Sequence, residues 1–221
     1  MTATVLDIRQ HLMTLPMLPS VLSDVASALE LERKKRSAFY EWVTPDMKVE
    51  FINGEIVEHS PANDGHNFSR HQLAKITSTF VDVHDLGDIR DEKAMISLTR
   101  NDYEPDIVFW KKLKAAKFSK KQTHYPAPDW VVEILSDSTA KRDRGVKFDD
   151  YAAHGVAEYW IVNAEKKVVE QYLLADDTYE LHKKLGIEDH IESIVIKGFS
   201  IPVAAIFDKE ANREALLKIL K

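Results

Sequence analysis

Two carboxylates in strongly apolar surroundings are the side chains best suited to chemistry. Asp106 follows Pro105 and opens the run Ile-Val-Phe-Trp, and Glu133 lies inside the run Trp-Val-Val-Glu-Ile-Leu. A buried ionised carboxylate without a partner is costly, so Glu133 needs a cation, hydrogen-bond donors or a raised pKa. If the two runs form neighbouring strands, both acids can point into one cleft and share a divalent cation.

A structural role could also account for either acid taken alone. Asp106 could be a turn residue after Pro105, and Glu133 could pair with a nearby lysine or arginine. The segment after Glu133 favours a functional interpretation, because Asp143, Lys147 and Tyr151 are spaced four apart and would share one helix face. That face carries either an exposed Asp–Lys pair or a lysine directed into the carboxylate cleft. In the second case Lys147 supplies a cation for a nucleophilic water or a phosphate.

The composition limits the kind of metal and the kind of protein. The 221 residues, 44% apolar and 30% charged, suit one globular domain. No cysteine is present, which excludes zinc–thiolate sites, iron–sulfur clusters and thiol nucleophiles and fits a reducing cytoplasm. A metal would therefore be held by oxygen or histidine ligands, which favours Mg²⁺, Mn²⁺ or Ca²⁺.

The charge distribution is uneven. A net charge of −6 argues against non-specific coating of DNA. Lys111–Lys121 is a dense basic stretch that connects the two acid-bearing runs, a placement suited to a nucleic-acid backbone, although a solvated face is the simpler interpretation.

No apolar run reaches the ~20 residues needed to span a membrane. No signal peptide is expected, because Asp7, Arg9 and His11 interrupt the apolar N-terminal stretch.

Hydrophobic patterns predict a mixed α/β domain with helical ends. We predict an N-terminal helical extension at 1–43, the domain at 44–208 and a C-terminal helix at 209–221. Asn53-Gly54 predicts an N-terminal β-hairpin. A long helix is predicted at 66–84, ended by Gly87, and a second helix at 139–154. The predicted strands lie at 93–98, 106–110, 130–135, 158–163, 168–174, 178–184 and 199–202. The helix between 130–135 and 158–163 predicts a parallel crossover in a mixed sheet covered on both faces.

Several motifs together resemble one known family. They are the run Glu50–Pro61 (EFINGEIVEHSP), His66, Pro105-Asp106, the run Val131–Tyr151 (VVEILSDSTAKRDRGVKFDDY) and the run Gly155–Val162 (GVAEYWIV). With these motifs the chain resembles the bacterial restriction-endonuclease-like family of the PD-(D/E)XK nuclease superfamily, over roughly residues 40 to 207. Pro105-Asp106 is a weak signal by itself, whereas the spacing from Glu133 to Tyr151 is specific.

The resemblance implies a fold and a metal site. The fold is a restriction-endonuclease-like core of helix, three strands, helix and strand, which is the order predicted above. The metal ligands are Asp106 and Glu133, with the backbone carbonyl of Ile134 as a further ligand. The superfamily's lysine lies two residues after the second acid, where this chain has Leu135. Lys147 is the candidate replacement.

Glu50 and His66 complete the catalytic candidates. Glu50 is either an additional acid near the metal or a surface residue of the hairpin. His66 either assists proton transfer or contacts a phosphate, or it only caps the helix or faces solvent.

The function implied is Mg²⁺- or Mn²⁺-dependent hydrolysis of phosphodiester bonds in nucleic acid, with DNA expected. By analogy the protein is expected to be a cytoplasmic homodimer. One alternative is a catalytically degenerate nuclease fold that binds nucleic acid or a protein partner, which Leu135 and the acidic net charge favour. Another is a structural homodimer in which Glu133 and Lys147 form a buried ion pair.

Overall fold

The N-terminal segment forms two helices. The computed structural model describes residues 5–221, with side chains from residue 7 onward. The two helices are α1 (Val5–Met13) and α2 (Leu18–Trp42). α2 begins at Leu18, and Pro19 lies in its first turn, where a missing N–H breaks no helical hydrogen bond. Phe39 is the buried residue of α2, and its ring centroid lies 5.6 Å from that of Phe51.

The rest of the chain alternates strands with shorter helices. The strands are β1 (Val49–Ile52), β2 (Glu55–Glu58), β3 (Gly87–Asp91), β4 (Met95–Ser97), β5 (Asp102–Tyr103), β6 (Ile107–Lys111), β7 (His124–Tyr125), β8 (Trp130–Ile134), β9 (Glu158–Asn163), β10 (Val168–Ala175), β11 (Thr178–Leu185), β12 (His190–Glu192) and β13 (Ser200–Pro202). The helices are α3 (Asp64–Val83), α4 (Lys112–Ala115), α5 (Ala140–Asp143), α6 (Val146–Ala153), α7 (Ala204–Phe207) and α8 (Lys209–Ile219). None of the described helices is both long and apolar enough to cross a membrane.

A six-stranded mixed sheet forms the centre, in the order β11-β10-β9-β8-β6-β3. β8 and β9 are parallel, as the crossover predicted, and β6 and β8 are antiparallel neighbours. Side chains alternate across a strand, so both faces of β8 are buried. Trp130, Val132 and Ile134 pack in the cluster that includes α3, α7 and α8, whereas Val131 packs in the cluster that includes Tyr151 of α6.

A second sheet lies beside the first, in the order β2-β1-β5-β4-β7. Its β1–β2 hairpin was predicted from Asn53-Gly54, and both residues have the positive φ that the turn needs, 50° and 82°. β4 belongs to this sheet, so the predicted strand at 93–98 is not the first strand of the nuclease core. That place is taken by β3, which pairs with β6.

Two local predictions were wrong. Gly87 was expected to end the first long helix, but that helix ends at Val83 and Gly87 begins β3, where a Cβ would lie 2.0 Å from the Trp110 carbonyl oxygen. The helix predicted at 139–154 is broken into α5 and α6. Gly145 lies between them with φ −126° and ψ −107°, a conformation outside the helical region.

Candidate active site

Asp106 and Glu133 face each other across the β6–β8 pair. Ile107 is opposite Val132, so one step further along the antiparallel register places Asp106 opposite Glu133. Opposite residues of an antiparallel pair point to the same face. Both acids are 4% exposed. The expectation that they lie on neighbouring strands and share a cleft is therefore met by the backbone register.

Asp106 is held as a carboxylate by donors from two other elements. Its Oδ2 accepts a hydrogen bond from the Ile134 N–H at 2.7 Å and lies 3.1 Å from His66 Nε2. Burial acts to raise the pKa of Asp106, but His66 and the Ile134 N–H outweigh it and lower the pKa below its ordinary value. His66 is 6% exposed in the first turn of α3, where Asn63 Oδ1 caps its N–H at 2.9 Å. Exposure of His66 to solvent is thus ruled out.

Glu133 is bound to a buried lysine. Its Oε1 accepts from Lys147 Nζ at 3.0 Å and from the Tyr151 hydroxyl at 3.3 Å. Burial nevertheless raises the pKa of Glu133 well above its ordinary value, because the attraction of Lys147 is opposed by the nearby Asp143, Asp106 and Glu50.

Lys147 is surrounded by three acids from three parts of the chain. Its Nζ lies 2.8 Å from Glu50 Oε1, 3.0 Å from Glu133 Oε1 and 3.6 Å from Asp143 Oδ1. Burial acts to lower the pKa of Lys147, but these acids raise it well above its ordinary value. Asp143 and Lys147 are each 1% exposed, so the interpretation as a surface pair is wrong, although the spacing of four does bring them together across the break at Gly145.

Glu50 connects the hairpin to the central sheet. It is fully buried, which rules out the surface role. Its Oε1 also accepts from the Glu104 N–H at 3.0 Å, and its Oε2 lies 3.0 Å from His59 Nε2. Burial acts to raise the pKa of Glu50, but Lys147 and His59 lower it to about 2.

Among these residues, His66, Asp106, Glu133 and Lys147 line one cleft with a volume of about 230 Å³. Sequence reasoning missed four titratable residues that also line it, namely Lys48, His59, Glu104 and Asp137. Glu104 could have been identified from its position two residues before Asp106, since side chains two apart in an extended chain share a face. His59 follows the hairpin, and its pairing with Glu50 depends on strand geometry that no local motif reveals.

The donor set fits a hard divalent cation. The hydrogen bonds among the described residues use Asp106 Oδ2 and Glu133 Oε1, which leaves Oδ1 of Asp106 and Oε2 of Glu133 unpartnered in the cleft. The two carboxylates supply oxygen ligands of the kind that Mg²⁺ and Mn²⁺ prefer, and the Ile134 carbonyl as a further ligand stays a prediction. Over residues 5–221 no cluster of three or more histidine and acidic side chains has the geometry to hold a metal alone. A cation here would therefore depend on the carbonyl and on water as well.

The lysine-rich stretch lies away from this cleft. Asp106 lies at the start of β6, and the connection to the antiparallel β8 leaves from the other end of that strand. At about 3.3 Å per residue, Lys111 is about 16 Å from Asp106 along the strand. Lys114 Nζ pairs with Asp129 Oδ1 at 3.0 Å, and Lys112 pairs with Asp85. The stretch thus lies at the opposite end of β6 from the acids, and its contact with a nucleic-acid backbone stays a prediction.

Comparison with known proteins agrees with this architecture. The model of the Uma2 family, described as "Putative restriction endonuclease", matches residues 36–204. The crystal structure of a protein from Anabaena variabilis, described as a "putative nuclease belonging to DUF820", superposes with a TM-score of 0.65 at 13% sequence identity, covering 80% of this chain and 96% of that chain. At that identity the likeness shows the fold. No curated protein matches the chain.

Proposed function

The chain belongs to the Uma2 family of restriction-endonuclease-like proteins, and from this premise we propose that it is a divalent-metal-dependent endonuclease that hydrolyses phosphodiester bonds in DNA. One observation carries the proposal. Asp106 and Glu133 face each other on two paired strands, both line the same cleft, and each has one carboxylate oxygen without a hydrogen bond among the described residues. The choice of DNA rests on the family's description, because restriction endonucleases act on DNA.

Asp106, Glu133 and the Ile134 carbonyl would hold Mg²⁺ or Mn²⁺. A bound divalent cation polarises a phosphate and lowers the pKa of water. His66 keeps Asp106 oriented and ionised, since it lies 3.1 Å from Oδ2. Lys48 also lines the cleft and offers a cationic side chain to a phosphate.

Lys147 takes the electrostatic role of the superfamily lysine in this proposal. Leu135 cannot supply a charge, and Lys147 reaches Glu133 from α6 instead, at 3.0 Å. Its ammonium offsets the negative charge of the acid cluster and so favours the ionised form of Glu133. We assign it as a positioning and charge-balancing residue.

A degenerate nuclease fold that binds nucleic acid or a protein without cutting is the second candidate. It is favoured by the contacts of Lys147, because three carboxylates already surround its Nζ and hold it away from a substrate.

A cytoplasmic homodimer is part of the proposal. The absence of cysteine supports the compartment. α1 and α2 support self-association, because they expose several large apolar side chains by 49–70%, among them Met13, Leu22, Val25 and Leu31.

The test is a cleavage assay of the purified protein. Supercoiled plasmid, linear duplex DNA, single-stranded DNA and RNA are incubated in EDTA, Mg²⁺ or Mn²⁺, beside Asp106→Ala. Cleavage of DNA that requires metal and is lost in Asp106→Ala is expected. Absence of cleavage with every substrate, together with measurable DNA binding, would favour the degenerate candidate. Metal-independent cleavage that survives in Asp106→Ala would contradict the site assignment.

A further inference from the structure

A second cavity adjoins the candidate active site. Its volume is about 290 Å³, and it lies between the end of α2, β4, β7 and the loop before β7. Glu104 lines both this cavity and the acidic cleft. Glu104 is two residues from Asp106, about 7 Å along an extended chain, so the two cavities are close enough for one nucleic-acid strand to reach both.

The floor of the cavity is a row of side chains across three strands. Met95 pairs with His124 in the parallel β4–β7 ladder. Ile96 pairs with Tyr103, so one step further along that antiparallel register places Met95 opposite Glu104. Glu104 and His124 therefore point to the same face on either side of Met95. Their Cα atoms are about 10 Å apart, from two strand spacings of about 4.8 Å.

Two polar atoms at the ends of this row have no partner. Glu104 Oε2 and His124 Nε2 are both buried and accept or donate no hydrogen bond among the described residues. Glu104 is 7% exposed as a whole. Buried polar groups in folded proteins are nearly always hydrogen-bonded, so two unpartnered atoms on residues that line one cavity indicate side chains available to a ligand.

Aromatic rings form one wall. The Tyr40 ring lies 4.6 Å from the His124 ring, centroid to centroid, at an interplanar angle of 76°. Tyr40 is fixed in place because its hydroxyl donates to Asp102 Oδ1 at 2.7 Å. Lys93 also lines the cavity. A rigid aromatic wall, two hydrogen-bonding atoms across the floor and a lysine nearby suit a planar, hydrogen-bonding group attached to a phosphate chain.

We propose that this cavity receives one nucleobase of the substrate strand, next to the phosphate held at Asp106 and Glu133. The base stacks on the ring of His124 or Tyr40, and its exocyclic amino group donates to Glu104 Oε2 while His124 Nε2 bonds a second ring atom. The proposal rests on the proposed function only in taking a nucleic-acid strand as the ligand of the neighbouring cleft. A base enters only when it is unpaired, so the site selects single-stranded or locally opened DNA.

The experiment measures binding without cleavage. Fluorescence anisotropy in EDTA compares four labelled single-stranded 12-mers: dA12, dC12, dT12 and an abasic 12-mer with the same phosphates. These homopolymers need no knowledge of the binding register. The full-length protein is compared with His124→Ala, with His124→Phe, which keeps a ring but removes both nitrogens, and with His182→Ala, an exposed histidine on β11 that serves as control.

We expect dA12 and dC12 to bind at least about 5-fold more tightly than the abasic strand, as stacking of one base predicts. The affinity for dT12, which has no exocyclic amino group, lies between that for dA12 and dC12 and that for the abasic strand. His124→Ala brings the ratio of base-bearing to abasic affinity towards 1 without weakening the abasic strand, and His182→Ala leaves the ratio unchanged. His124→Phe keeps the preference for bases, because a ring remains, and keeps the preference of dC12 over dT12, because Glu104 Oε2 still accepts from the amino group.

The inference is overturned if the abasic strand binds as tightly as dC12, or if His124→Ala leaves their ratio unchanged. A parallel cleavage assay in Mg²⁺ distinguishes failure of the inference about the cavity from failure of the proposed function. Base preference without cleavage supports the cavity and contradicts catalysis. Cleavage at the same rate on base-bearing and abasic strands supports catalysis and contradicts the cavity.

Discussion

Replacement of Lys147 by methionine is the perturbation with the clearest expected magnitude. The side chain is 1% exposed, so methionine fills similar space and removes the charge. Glu50, Glu133 and Asp143 then lose their shared cation, and removal of one partner from a buried ion pair costs about 3–5 kcal/mol. The pKa of Glu50 gives an independent value. Its decrease from 4.5 to about 2 corresponds to about 3–4 kcal/mol at about 1.4 kcal/mol per pKa unit, part of it due to His59.

The pH dependence follows from the direction of that decrease. Because the pKa of Glu50 is lower in the folded protein than in the unfolded chain, its stabilisation is complete above about pH 4.5 and is lost as the pH falls towards 2. The pKa of Glu133 is raised even with Lys147 present, so loss of the ammonium penalises its ionised form further at neutral pH. Lys147→Met should therefore be most destabilising near pH 7 and least destabilising near pH 3.

The assay is urea unfolding followed by circular dichroism at pH 7 and pH 3, with Lys141→Met as control. Lys141 is an exposed lysine on the neighbouring α5, and its replacement should change the free energy of unfolding by less than about 0.5 kcal/mol. We expect Lys147→Met to lose about 3 kcal/mol at pH 7 and clearly less at pH 3. A loss below about 1 kcal/mol, or an equal loss at both pH values, would refute the electrostatic account of this cluster.

Three further predictions address the metal, the fold and the assembly. Affinity for Mn²⁺ should rise from pH 6 to pH 8, because a cation needs ionised Glu133 and the raised pKa of this acid lets protons compete; calorimetry showing equal affinity would contradict this. Glu158→Gln should lower the free energy of unfolding by about 2–3 kcal/mol. The Glu158 carboxylate accepts from five donors, namely Trp160 Nε1, Gln171 Nε2, Ser193 Oγ and the N–H groups of Ile194 and Val195. Urea titration checks this, and an unchanged midpoint would show that these donors find other partners. The double variant Leu22→Glu/Val25→Glu should shift a homodimer to monomer in sedimentation velocity without loss of helix content, whereas an unchanged mass would exclude α2 from the contact.

The central part of the site was predictable because its signals are local. A lone acid inside a run of apolar residues identifies Glu133. An acid at the start of an earlier apolar run identifies Asp106. The antiparallel register then brings them together without further assumptions. The spacing of four between Asp143 and Lys147 also predicted their contact, although Gly145 interrupts the helix that was expected to produce it.

Other features depend on contacts between distant segments. β3 (Gly87–Asp91) has one apolar residue, Ile89, so nothing in its sequence distinguishes an edge strand from a loop. The burial of Glu50 follows from the packing of the hairpin against α6, where Lys147 lies 2.8 Å away. The distance of the Lys111–Lys121 connection from the acids is set by strand direction, which composition does not reveal.

Calorimetric titration of Mn²⁺ tests the central claim, that Asp106 and Glu133 form a divalent-cation site. The titration at pH 7.5 compares the wild-type protein, Asp106→Asn and the control Asp177→Asn, which lies in the exposed turn between β10 and β11. We predict measurable binding by the wild type and the control, and affinity at least about 10-fold weaker in Asp106→Asn. Equal affinity in all three proteins, or no binding by the wild type, would contradict the account.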